Sequence, residues 1–154
     1  MIISLREVDV IGFLGLNKIM KPGEIDELLE GLNKEIWFRL FHQELPKILN
    51  QKEFNQLVKK HELASNLDSI TAEIEQKWPH FNFRLIINKI ATQVKKEFVL
   101  NYLTKLSQDY ASNADLQKLI TQIKTFFEKK ELNQKKLDQF QQQLYRLVIS
   151  AASD

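Results

Sequence analysis

The chain carries three histidines, His42, His61 and His80, and no cysteine. Two metal ligands share one helical face when they stand four residues apart. None of the three histidines has such a companion, and the Glu-x-x-His spacing of a di-metal bundle core does not occur. The sequence therefore places them at the surface or its boundary, with His80, just after Trp78-Pro79, in position to cap the helix that follows. Lack of cysteine removes thiolate nucleophiles, zinc-thiolate sites and disulfides together, and fits a reducing compartment. Carboxylates cluster at Glu24, Asp26, Glu27 and Glu30. These are the opening turns of a helix, where solvent and the positive end of the dipole favour acids with no catalytic role. No serine stands in a Gly-x-Ser-x-Gly elbow, and no glycine-rich phosphate loop exists in any register. The inventory leads to the expectation of no catalytic residue, no metal and no cofactor.

Two other groups have the chemistry of binding rather than catalysis. Trp37, Phe38 and Phe41 gather large aromatics on a second face of one helix. Such a cluster either fills a core contact, the commoner use, or anchors an interface, where tryptophan and other aromatics are enriched. Lys118, Lys129, Lys130, Lys135 and Lys136 form the second group. Four of these ammonium groups flank one inter-helix turn, and a polyanion held there would bind electrostatically and with strong salt dependence. The plainer reading is a solvated outer face.

Length and composition set the frame for both. A chain of 154 residues, 44% hydrophobic and 27% charged, fits a single globular domain, 1–154, with sub-units at 1–63 and 64–154 as an alternative division. Charge is uneven: residues 1–46 hold 5 basic and 8 acidic side chains, residues 47–154 hold 17 and 12. Of the 22 basic residues 18 are lysine and 4 arginine, which argues against base-edge recognition, a task suited to the planar arginine fork. No apolar run approaches the roughly 20 residues a bilayer requires. Residues 1–9 carry acids where a secretory leader would be apolar, so a cytoplasmic location is expected.

The elements that must position these groups are helices. All 4 glycines lie in the first 31 residues, and beyond residue 80 there is neither glycine nor proline. A tract of that length rich in Leu, Ile, Lys, Gln and Glu is unsuited to hairpins. Periodicity predicts a first helix over Leu5–Leu14 with Gly15 as its exit, and a long one from Pro22 whose core-facing stripe is Ile25, Leu28, Leu29, Leu32 and Ile36. Beyond Ile36 the apolar face turns by about 120° to Trp37, Leu40, Phe41 and Leu45, and Pro46 bends or ends the segment. Asn50-Gln51-Lys52-Glu53 has the form of a capping box opening a short helix to about Leu63. Another helix starts near Ser65 or Asn66 and stops at Trp78-Pro79. A central helix runs from about His80 to Ser107, apolar around much of its circumference. Two further helices, started by Ser112 or Asn113 and by Asn133, form a C-terminal helical hairpin. The expected class is all-α, a bundle of six or seven helices.

Leu14-Gly15-Leu16, then Pro22-x-Glu24, then Leu28-Leu29-x-x-Leu32-x-x-x-Ile36-x-x-Arg39-Leu40, resembles a short helical domain of uncharacterised bacterial proteins, over roughly residues 10–60. The resemblance implies a bacterial origin and no activity, cofactor or functional residue. Taken together, these features lead to the expectation of a non-catalytic accessory or interaction subunit, its partner another protein or a second copy. A nucleic-acid-associated protein using the Lys-rich hairpin is the alternative.

Overall fold

A computed structural model of the chain describes residues 1–61, 67–79 and 82–153. In chain order the elements are strand β1 (Ile2–Ser4), a 3₁₀ turn (Leu5–Glu7), helices α1 (Val10–Phe13), α2 (Leu16–Ile19) and α3 (Pro22–Arg39), and a π turn (Leu40–Glu44). There follow α4 (Leu45–Ile48), α5 (Gln51–His61), α6 (Leu67–Lys77), α7 (Phe83–Asp109), α8 (Ala114–Phe126), strand β2 (Glu131–Asn133) and α9 (Gln134–Ser153). The class is an all-α bundle, as the composition requires. Its long helices, α3 and α5–α9, run from 11 to 27 residues. The chain packs as two compact units, Met1–Glu30 with Thr92–Asp154, and Gly31–Ala91. Helices α3 and α7 contribute residues to both.

The first unit is built on the C-terminal hairpin. Leu116, Leu119, Ile120 and Ile123 of α8 and Leu137, Phe140 and Leu144 of α9 are buried against each other and against Val99, Leu103 and Leu106 of α7. Asn113 and Asn133 open the two helices by accepting the N–H groups of Leu116 and Lys136, each at 3.0 Å. Gln117 then reaches back to the end of α7, donating to the carbonyls of Ser107 and Tyr110 at 3.0 and 2.9 Å. Phe13, Phe127, Phe126 and Phe140 form a chain of edge-to-face rings at 5.2–5.7 Å through this core.

At the N-terminus the structure departs from the single helix expected over Leu5–Leu14. Val8 is extended, and Asp9 restarts the chain by accepting the Gly12 N–H at 3.1 Å, so a 3₁₀ turn and α1 replace one continuous helix. The apolar spacing is preserved because all these residues still face one core, Leu5, Val8, Val10, Ile11 and Leu14 being buried. Gly15 has φ +71°, the left-handed conformation that lets α1 turn directly into α2. Ile2–Ser4 pair antiparallel with Glu131–Asn133 in a ribbon that periodicity did not anticipate, Ile3 opposite Leu132. Lys95 of α7 ties the segment down, its ammonium donating to the carbonyls of Arg6 and Val8 at 2.6 and 2.9 Å.

In the second unit the turning apolar face of the sequence has a specific cause. Along the segment from the end of α3 to Leu49 the buried side chains are Ile36, Leu40, Leu45 and Leu49, at spacings of four, five and four. Leu45 N–H donates to the Leu40 carbonyl, an i→i+5 bond, so the π turn takes up one extra residue and keeps both leucines on the covered side. It lies just before Pro46, whose ring would meet the carbonyl four residues back in a regular helix. Pro46 therefore does not end the segment, which continues through α4 to Leu49. The predicted capping box is present: Glu53 N–H donates to Asn50 Oδ1 at 2.8 Å and Asn50 N–H to Glu53 at 3.2 Å. Glu53 also accepts the Trp78 indole N–H at 3.0 Å, which joins the start of α5 to the end of α6. Helix α7 begins at Phe83, its first turn held by Asn82, which accepts the Leu85 N–H at 3.2 Å. The helix starts anticipated at Ser65 or Asn66, the α5 end at Leu63 and the cap at His80 fall outside the described residues.

Candidate functional site

The stripe on α3 that the sequence assigns to the core is only partly covered. Ile36 alone of its five members is buried; Ile25, Leu28 and Leu32 are partly so, and Leu29 is 43% exposed. Amphipathic spacing declares that a helix has an apolar side, not that a neighbour covers it. The aromatic cluster follows directly. None of Trp37, Phe38 and Phe41 is buried; Trp37 and Phe41 are partly covered and Phe38 is 52% exposed. Helical spacing pairs each aromatic with the side chain four residues on. Trp37 stacks on Phe41 with centroids 5.0 Å apart and planes 14° apart, and Phe38 lies against His42 at 4.6 Å. Leu40, next to Phe41 in the chain, is buried. Arg39, on the same turn, donates to Glu35 at 2.8 Å. The result is a two-row aromatic ladder that runs from the end of α3 into the π turn of the second unit. His42 is exposed on this ladder, whereas the side chain of His61 and all of His80 lie outside the described residues.

The second group of candidates is drawn together by the packing of α8 on α9. Three contiguous depressions, of about 350, 350 and 460 Å³, run along the outer face of that pair. Lys118 and Arg146 stand at one end, Lys129 and Lys136 farther along, and Lys135 at the other end. Gln122, Gln143, Thr121 and Thr125 supply neutral hydrogen-bonding groups between them, and Phe126 and Phe140 form part of the floor. Lys136 Nζ sits 5.7 Å from the centroid of the Phe140 ring. Lys130 is exposed on the adjoining turn and lines none of the three depressions. Arg146 and the glutamines belong to this groove although the lysine clustering singled out neither. Their signal was a position opposite the apolar arc on two helices that pack together.

Two titratable groups of the first unit are displaced from their ordinary range. Partial burial pushes the Lys95 ammonium down, helped by the Arg6 guanidinium and opposed by Asp9. Burial raises the Tyr102 phenol, with Tyr110 and Asp109 adding to it. Neither lies in the aromatic ladder or among the residues lining the groove. Among the described residues no group of three or more His, Asp or Glu side chains is placed to hold a metal ion, and no helix is long and apolar enough to cross a membrane.

No family model, no curated protein and no solved structure matches the chain.

Proposed function

We propose that this chain is a non-catalytic helical subunit, cytoplasmic and bacterial, that docks on another protein chain through the aromatic ladder of Trp37, Phe38 and Phe41. The observation that carries the reading is Phe38, a large apolar ring more than half exposed beside two partly covered aromatics on the segment that runs from the end of α3 into the π turn. Covering the exposed half of such a ring stabilises a complex by about 1–1.5 kcal/mol, and tryptophan beside it is the residue type most often found at the energetic centre of an interface. The non-catalytic part rests on the sequence, which offers no phosphate loop, nucleophile elbow or thiolate. Resemblance of residues 10–60 to a helical domain with no assigned activity is consistent with it.

Size exclusion with light scattering, run on the wild-type chain and on Phe38→Ser, tests the assignment. Either self-association or a stoichiometric complex with a co-purified protein is expected for the wild type, weakened about tenfold or more by the substitution. A wild-type chain that stays monomeric and unaccompanied, or a complex indifferent to Phe38→Ser and Trp37→Ala, overturns it.

A further inference from the structure

We infer that the groove between α8 and α9 is a second, separate binding site, one that takes the phosphodiester backbone of double-stranded nucleic acid without reading its sequence. Five cations and two carboxylates, Asp115 and Glu131, line it, a net charge of +3 in a chain whose whole net charge is +2. The groove is therefore locally positive. Four lysines elsewhere in the same unit are engaged: Lys95 on two carbonyls, Lys96 on Glu128 at 3.0 Å, Lys124 on Thr104 at 2.8 Å and Lys18 over the Tyr145 ring. Among the described residues none of the five groove cations is held by a carboxylate.

Their placement also runs against the helix that carries them. The first turn of α9 has no acidic residue and instead presents Lys135 and Lys136 at the positive end of the dipole. Cations there are unfavourable to the free protein, and an anion seated beside them relieves both terms. Lys136 and Arg146, ten residues apart on α9, stand about 15 Å apart along its axis. Gln122 and Gln143 lie between the charged ends, where amide groups can meet phosphate and sugar oxygens.

The aromatic rings in the groove are covered, Phe126 at 5% and Phe140 at 6% exposure, so bases find no stacking platform. Single strands are gripped largely by such platforms. The concave, linear shape suits a polymer backbone better than a planar lipid surface. Four of the five cations are lysines, which act as point charges on phosphate rather than as bidentate readers of base edges.

Fluorescence anisotropy of the full chain with a labelled mixed-sequence DNA duplex decides the matter, alongside the same sequence as a single strand and vesicles containing anionic lipid. Duplex binding is expected to weaken about 250-fold between about 50 and 200 mM salt, corresponding to a log–log slope near −4 for a site of five cations. Lys129→Gln with Lys136→Gln should reduce that slope by about 2 and the low-salt affinity by about tenfold or more. Lys105→Gln, an exposed lysine of α7 away from the groove lining, should change neither, and thermal melts of all variants should coincide. Absence of duplex binding at low salt overturns the proposal. So does salt-independent binding, an equal loss with Lys105→Gln, or tighter binding of the single strand or the vesicles. Phe38→Ser leaves this site intact, so its outcome is independent of the protein-docking surface.

Discussion

Gly15 and Gly12 show how single residues shape the N-terminal segment. A Cβ at Gly15 meets the left-handed penalty of φ +71° and lies 3.4 Å from Tyr145 Cδ2. Gly15→Ala is expected to lower stability by about 1–2 kcal/mol, read as a shift of the urea midpoint at constant slope. At Gly12 the cause is different: a Cβ would stand 2.6 Å from Asp9 Oδ2, displacing the carboxylate that caps α1. Titration gives a second residue-level test. The native Tyr102 phenol holds its proton above the ordinary value of 10.0, so above that pH the native state binds more protons than the unfolded chain and stability falls as pH rises. Tyr102→Phe should flatten this alkaline decline, compared by urea midpoints on either side of pH 10.0. Lys95 acts in the opposite sense. Its lowered value means the unfolded chain binds more protons just below 10.5, and stability rises with pH through that window. The positions Trp37, Phe38, Phe41 and the five lysines were legible from residue type and spacing. Whether they were covered was not.

Elements carry a different kind of information. The capping box at Asn50 was readable because it is a local pattern closed within four residues. Its second use was not, since Trp78 comes from 25 residues away to donate to the same Glu53. Glu53→Ala therefore removes a cap and an indole partner together and should cost about 2 kcal/mol, whereas Glu53→Gln keeps the capping geometry and should cost less. Denaturation followed by tryptophan fluorescence separates the two. The π turn left a trace in the sequence as an apolar face that rotates ahead of Pro46. In the structure the spacing of five between Leu40 and Leu45 is absorbed by the backbone, and both leucines are almost fully covered, at 0% and 1% exposure.

At the scale of the molecule, the first unit is assembled from both ends of the chain. Leu5, Val8, Val10, Ile11, Phe13, Leu14 and Leu16 join a core otherwise supplied by residues from Val99 to Leu144. At about 1.5–3 kcal/mol each, these seven side chains contribute on the order of ten kcal/mol or more, comparable with the whole stability of a domain. Removing residues 1–16 should abolish the cooperative melt of the C-terminal hairpin, and near-ultraviolet circular dichroism would detect the loss of its ordered aromatic core. A truncated chain that still melts cooperatively would show the hairpin to be self-sufficient.

The sequence by itself determined that the chain is helical, where most helices begin, which side of each is apolar, and that familiar catalytic motifs are missing. These properties depend on backbone preferences and side-chain spacing within a turn or two, so they can be read locally. Tertiary structure alone decided that the α3 stripe is left partly open, that Ile2–Ser4 pairs with Glu131–Asn133, and that cations on two helices line one groove. Burial and juxtaposition are set by neighbours brought from far along the chain, and a periodic pattern records the face that seeks a partner without recording which partner arrives.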